Sequence, residues 1–109
     1  MDPQKVLNCI QACYSCATAC DHCSVSCLDE PDVDRMSRCI ELDMDCSAIC
    51  RLTASFLSRD SEYSQEICSI CAEICDACAD ECDKHDNEHC KNCAEMCSDC
   101  AKCCKELLV

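Results

Sequence analysis

Cysteine is the residue whose number and spacing could support chemistry in this chain, since it occupies 20 of the 109 positions. Through most of the sequence, consecutive cysteines are separated by alternating steps of three and four residues. Thiols bind soft metal ions, form disulfides and carry redox chemistry, so the pattern is compatible with all three uses. The cysteines are Cys9, Cys13, Cys16, Cys20, Cys23, Cys27, Cys39, Cys46, Cys50, Cys68, Cys71, Cys75, Cys78, Cys82, Cys90, Cys93, Cys97, Cys100, Cys103 and Cys104.

The alternating step is typical of the face of an α-helix that packs against partner helices, with sulfur in place of leucine. Asp2 and Pro3 are start signals for the first helix, and Pro31 interrupts the chain before the second. The predicted helices cover residues 3–28, 32–58, 61–84 and 87–107. Because the connections are short, the sequence predicts an all-α fold, an antiparallel up-down-up-down four-helix bundle with a cysteine-lined core and a single domain over residues 1–109.

The composition restricts both the core and the function. Leu, Ile, Val and Phe together number 18 of 109 residues, so the cysteines must form much of the interior. The formal net charge of −13 argues against nucleic-acid binding, because phosphate backbones are held by lysine and arginine. The chain has no glycine for a phosphate-binding loop and no recognisable nucleophile or haem motif, so we expect no enzymatic activity.

The redox compartment bears on what the cysteines do. No apolar run reaches the ~18 residues needed to cross a bilayer, and the first residues lack the hydrophobic segment of a signal peptide. We therefore expect a cytoplasmic protein with no membrane partner, whose thiols are kept reduced. Disulfides within one helix are also disfavoured, because β-carbons one turn apart are separated by ~5–6 Å and a disulfide needs ~3.8 Å.

Cu(I) fits columns of sulfur best, because it is soft and is satisfied by two or three thiolates. Zinc or cadmium needs four converging sulfurs, so a zinc/cadmium thiolate buffer holding about five ions remains an alternative. Iron–sulfur clusters usually take their cysteines from loops that wrap the cluster, so cysteines along predicted helices fit such a cluster less well than they fit Cu(I). A thiol redox protein, using a helix-start cysteine such as Cys90, is a further alternative that leaves most of the cysteines without a role.

Charge balance indicates how many copper ions the chain would hold. If each ion took a private pair of thiolates, the core would keep a large negative charge, which costs several kcal/mol per uncompensated ion. Thiolates shared between neighbouring ions remove that charge. We therefore expect loading above about ten Cu(I) ions and towards about twenty per chain.

Asp43 stands on the second predicted helix where a cysteine would continue the stripe. A carboxylate that faces the core must be paired or bind a cation, which makes Asp43 a candidate metal ligand. The alternative is a side chain that turns to solvent or pairs with a lysine or arginine.

The two ends of the bundle differ in residue type. At one end we expect a mouth where ligands weaker than thiolates pass copper inward, with Met36, His85 and His89 as entrance residues and both histidines as metal ligands. Alternatively, the histidines are polar residues near a turn and Met36 is core packing. The opposite end is expected to carry an apolar plug made of Leu7, Phe56, Leu57, Leu107 and Leu108.

Three segments of the chain, residues 8–13 (NCIQAC), 66–75 (EICSICAEIC) and 84–90 (KHDNEHC), resemble the cytosolic branch of the copper storage protein family. The resemblance covers nearly the whole chain. It implies a four-helix bundle that fills its interior with many Cu(I) ions, bound mainly by CxxxC and CxxC thiolate pairs, in a homotetramer that stores or sequesters copper. Copper ions are then the cargo, and a cytosolic copper chaperone or low-molecular-weight thiols are the candidate exchange partners.

Overall fold

The first helix begins where its capping residues stand. In the computed structural model, which describes residues Met1 to Val109, the Asp2 carboxylate accepts a hydrogen bond of 2.9 Å from the Gln4 amide, and Pro3 fills the first helical position. Such a cap satisfies an amide that has no partner within the helix. The α-helices are α1 (Pro3–Leu28), α2 (Ser37–Ser58), α3 (Ser64–Cys82) and α4 (Glu88–Glu106).

The second and third helices begin later than the sequence predicts. Residues Val33–Met36 form a single 3₁₀ turn before α2, in which the Arg35 amide donates to the Asp32 carbonyl at 2.9 Å. After α2, Asp60 adopts a left-handed backbone with φ of 53°, a conformation that aspartate tolerates better than most residues. Asp60 lies two residues after the end of α2 at Ser58, in the turn that precedes α3.

The four helices form an antiparallel bundle in which each helix packs against its two sequence neighbours in a ring, with α4 closing against α1. The molecule measures 45 × 17 × 17 Å, close to the length of one long helix and the width of two. The all-α up-down-up-down prediction is confirmed. No helix combines the length and the apolarity that crossing a bilayer requires.

Sulfur fills the interior of this bundle. Every cysteine except Cys103 is completely buried, and the remaining core consists mainly of alanines with Met36, Leu57 and Leu107. The small alanines allow the helices to approach closely around the cysteines. The cysteine-lined core predicted from the spacing is therefore confirmed.

Candidate metal centre

Sulfurs from all four helices meet along the axis of the bundle. The Cys16 Sγ lies 3.5 Å from the Cys97 Sγ and 3.6 Å from the Cys46 Sγ. The Cys75 Sγ lies 3.6 Å from the sulfurs of both Cys46 and Cys50. These contacts join α1, α2, α3 and α4 in one network, and all twenty thiols are free.

Six pairs of cysteines spaced four residues apart on one helix hold their sulfurs within 4.0 Å of each other. With a Cu–S bond of roughly 2.2 Å, a separation near 4 Å gives an S–Cu–S angle of roughly 125–130°, which suits a three-coordinate ion rather than a linear one. At a loading above about ten ions, three-coordination is possible only if neighbouring ions share thiolates. The Sγ–Sγ distances are 4.0 Å for Cys16–Cys20 and Cys46–Cys50, and 3.9 Å for Cys23–Cys27, Cys71–Cys75, Cys78–Cys82 and Cys93–Cys97.

Groups of four sulfurs also lie within 4.8 Å of one another. Some groups share members: Cys16 and Cys46 belong to two of them. Other groups are disjoint, so the core could also offer separate tetrahedral sites of the type that zinc prefers. The disjoint groups are Cys13, Cys71, Cys100 and Cys104; Cys16, Cys46, Cys50 and Cys75; Cys20, Cys78, Cys93 and Cys97; and Cys23, Cys27, Cys39 and Cys90.

The end of the bundle away from the histidines is closed. Cys9 and Cys104 form the outermost sulfur contact there, at 3.6 Å, and Leu57 and Leu107 are almost completely buried. Leu7, which we expected in this apolar plug, is 54% exposed. Val6 and Ile10 of α1 pack against the core instead, because they lie on the cysteine side of the helix and Leu7 does not.

Asp43 faces the core rather than the solvent. Its Oδ1 accepts hydrogen bonds from the thiols of Cys78 and Cys93, each at 3.3 Å, and of Cys82 at 3.5 Å. Its other oxygen faces the Cys39 thiol at 3.8 Å. Burial, reinforced by the neighbouring sulfurs of Cys93 and Cys78, raises the pKa of this carboxyl to about 10. No lysine or arginine pairs with it, so a cation is the partner that would stabilise the charged form.

His89 faces the sulfurs of the mouth directly. Its Nδ1 lies 3.4 Å from the Cys23 Sγ and 3.5 Å from the Cys90 Sγ, and these two sulfurs are 3.9 Å apart. Two sulfurs and a nitrogen at these separations match the donor triangle around a three-coordinate Cu(I) ion. His89, which the sequence analysis names as a candidate ligand, therefore lies against the thiols of Cys23 and Cys90.

His85 and Met36 lie at the same end in different surroundings. The Nε2 of His85 contacts the Glu81 carboxylate at 2.9 Å, and its ring makes no hydrogen bond to a sulfur. Met36 ends the 3₁₀ turn and is completely buried. Sequence reasoning missed Glu81 and also Glu30, whose carboxylate contacts His89. The spacing Glu81-x-x-x-His85 was a signal for the first contact, because residues four apart meet on one helix face.

Two thiols at the mouth, those of Cys27 and Cys90, are protonated in the metal-free protein. Burial, followed by the charge of Cys39, raises the pKa of the Cys90 thiol to about 12. Burial likewise raises the pKa of the Cys27 thiol above its usual range. A redox cysteine needs an accessible, acidic thiol, and Cys90 has neither property. This finding weighs against the redox alternative.

Comparison with known proteins defines the class to which this bundle belongs. The model of a family described as copper storage protein matches residues 2–109. The chain belongs to that family. The cysteine-rich protein YhjQ of Bacillus subtilis (strain 168) is 46% identical over 64 residues, which is 59% of this chain. The match also spans 59% of the length of that curated relative.

Solved structures of copper storage proteins share the fold. The Cu(I)-bound copper storage protein BsCsp3 is 43% identical with a TM-score of 0.92, covering 96% of this chain and 99% of that one. A cytosolic copper storage protein from Streptomyces lividans with five coppers is 42% identical with a TM-score of 0.93, covering 96% and 92%. The copper storage protein of that organism loaded with 10 copper equivalents is 42% identical with a TM-score of 0.95, and the match covers 98% of this chain and 86% of that one.

Proposed function

We propose that this protein stores or sequesters Cu(I) by binding many ions to the thiolates that line its core. The observation that carries the proposal is the network of interhelical sulfur contacts of 3.5–4.0 Å along the bundle axis. Soft sulfur donors select a monovalent, thiophilic ion, and an unbroken network lets adjacent ions share ligands. The similarity to Cu(I)-bound and copper-loaded proteins supports the same reading.

The proposed ligands are the twenty cysteines together with Asp43 and His89, and His85 as an outer ligand at the mouth. Sharing of thiolates favours loading above about ten and towards about twenty ions per chain, because a neutral core avoids the cost of buried charge. Met36, His85 and His89 form the proposed entrance. Each protonated thiol must lose its proton to bind copper as a thiolate, so uptake releases protons and strengthens as pH rises.

The setting of the protein is part of the proposal. We infer a cytoplasmic location, as for the cytosolic relative from Streptomyces lividans, with copper exchanged by a cytosolic chaperone or low-molecular-weight thiols. The proposed function involves neither nucleic acid nor membrane as a partner, and it includes no enzymatic activity. A homotetramer is supported by exposed apolar residues on the outer faces of α2 and α3, among them Leu52 and Ile70.

Anaerobic titration tests this function. Reduced protein is titrated with Cu(I) against a chromophoric chelator of known affinity, and a parallel sample is titrated with Zn²⁺. We expect Cu(I) binding to saturate above about ten equivalents per chain. Light scattering of the same sample, against the chain mass of 12.1 kDa, tests the tetramer.

Two outcomes would contradict storage. Saturation with Cu(I) at five or fewer equivalents would show that the ions do not share thiolates. Tight binding of about four or five Zn²⁺ ions per chain, with weak Cu(I) binding, would favour the zinc/cadmium buffer, since the core contains at least four disjoint groups of four sulfurs.

A further inference from the structure

The imidazole of His89 is held between two thiols and one carboxylate. Its Nδ1 faces the Cys23 and Cys90 sulfurs at 3.4 and 3.5 Å, and its Nε2 lies 2.9 Å from the Glu30 Oε1. The side chain of His89 is 13% exposed and that of Glu30 is 24% exposed. The ring therefore has one nitrogen directed to the sulfur column and the other directed to Glu30.

This arrangement decides which nitrogen of a neutral His89 carries the proton. A carboxylate accepts hydrogen bonds and donates none when ionised, so Glu30 requires a proton on Nε2. The Nδ1 lone pair is then free on the side of Cys23 and Cys90. Carboxylates that contact the second nitrogen of a metal-binding histidine fix the ring orientation and the tautomer in this way.

The chain supports Glu30 at this position. Its amide donates to the Cys27 carbonyl at 3.2 Å just beyond the end of α1. The following Pro31 restricts the backbone of Glu30. The carboxylate thus projects from a constrained turn of one helix towards a histidine in the first turn of another, α4.

The other histidine of the mouth has a different environment. His85 also meets a carboxylate through Nε2, at 2.9 Å, but that group belongs to Glu81, which in addition contacts Arg38 and Lys84 at 3.6 Å. His85 makes no hydrogen bond to a sulfur. Only the Glu30–His89 pair therefore links a carboxylate to the sulfur column through an imidazole.

We propose that Glu30 is a positioning residue for copper uptake, holding His89 with its Nδ1 lone pair directed at Cys23 and Cys90. The inference rests on the proposed storage of Cu(I). Glu30 does not touch the ion and acts through the orientation and tautomer of His89. Its loss slows delivery of Cu(I) to the first thiolate pair and leaves the number of ions unchanged.

The test compares Glu30→Ala, Glu30→Gln and Asp29→Ala with the wild type. Asp29 is the adjacent, exposed residue, and its change alters net charge by the same amount. The Nε2–H tautomer is measured by ¹⁵N NMR of the metal-free protein, and the rate of Cu(I) uptake by stopped-flow with a Cu(I)–chelator donor. Circular dichroism verifies the fold of each variant.

We expect Glu30→Ala to lose the preference for the Nε2–H tautomer and to slow uptake by about tenfold or more. Glu30→Gln keeps an oxygen acceptor, so it should retain the tautomer and restore most of the rate. Asp29→Ala should match the wild type in both measurements. Capacity should be the same in all four proteins.

An unchanged tautomer and rate in Glu30→Ala would overturn the inference, as would an equal loss of rate in Asp29→Ala, which would assign the effect to net charge. A wild-type protein that binds no Cu(I) would instead overturn the proposed function and the uptake role with it. The tautomer of the metal-free protein would still decide whether Glu30 orients His89.

Discussion

Asp43 lies between the sulfurs at the centre of the bundle and those at the mouth. It receives thiol hydrogen bonds from Cys78 and Cys82 of α3 and from Cys93 of α4. Its raised pKa keeps the carboxyl protonated in the metal-free core, whereas a bound cation would favour the carboxylate. The residue can therefore exchange a proton for a metal ion without leaving a net charge buried.

We predict that Asp43→Asn makes the metal-free protein more stable than the wild type, by a margin that grows with pH. Folded Asp43 has a pKa of about 10 and keeps a proton that the unfolded chain releases above about pH 4, so wild-type stability falls as pH rises through that window. Asparagine does not titrate, so its side chain adds no pH dependence to the free energy of unfolding. Urea denaturation under reductant should show the margin widening by about 1.4 kcal/mol per pH unit between about pH 5 and 8.

The exposed Asp45, on the same helix, provides the matched control for this prediction. Asp45→Asn should differ from the wild type by an amount that stays constant with pH. If Asp43→Asn also gave a constant difference, the carboxyl of Asp43 would be ionised in the folded state and the assignment of a protonated Asp43 would be wrong.

The sequence could place Asp43 on the cysteine stripe but could not predict its environment. Helical periodicity determines which face a residue shares, and Asp43 continues the steps of three and four. Its hydrogen-bond partners come from α3 and α4, so they depend on the packing of helices and not on local spacing. The same limit applies to Glu30, which meets His89 only after the bundle has assembled.

The spacing of the cysteines predicts the interior of each helix better than its ends. The bounds of α1 follow from Asp2, Pro3 and the regular cysteines, whereas α2 and α3 begin with turns whose hydrogen bonds run between residues three apart, such as Arg35 to Asp32 and Ser64 to Ser61. The sequence does not distinguish such a turn from the first turn of an α-helix, so a prediction from the sequence extends the helices through these residues. The short sulfur separations of the six cysteine pairs spaced four apart follow from helix geometry, which places such residues on one face.

The proposed entrance lies at helix ends, since Met36 immediately precedes α2, His85 follows α3 and His89 lies in the first turn of α4. Replacing all three proposed entrance residues, as Met36→Leu, His85→Asn and His89→Asn, should slow Cu(I) loading by about tenfold or more while total capacity changes little. The physical reason is that the replaced groups lie at one end of the sulfur column and are weaker donors than thiolates, and the thiolates that hold most of the ions remain. Stopped-flow loading and equilibrium titration measure the two quantities separately.

His22 and Met44 supply a control of the same residue types. Both are exposed and lie off the sulfur column, so His22→Asn with Met44→Leu should load like the wild type. Unaltered kinetics in the triple variant would mean that copper enters elsewhere. A large fall in capacity would mean that the entrance residues hold the thiolate network together.

The whole molecule combines an acidic surface with an interior of sulfur. A formal charge of −13 lies almost entirely on exposed side chains, apart from the buried carboxyls of Asp43 and Glu81. Cations are therefore attracted to the molecule at long range. Selection between ions occurs only inside, where the donors are soft and the hard ions favoured by surface carboxylates find few oxygens.

The sulfur core also predicts how the molecule responds to removal of copper. Protonated cysteines pack as small apolar residues, so the metal-free bundle should keep its helical circular dichroism. Ions that bind only the folded state add stability, by about 4 kcal/mol for one site at a free concentration a thousandfold above its Kd. Calorimetry under anaerobic conditions should therefore show Tm rising as Cu(I) is added. Ca²⁺, which prefers oxygen ligands, should leave Tm unchanged, and loss of helical signal on copper removal would contradict the packing of free thiols as a core.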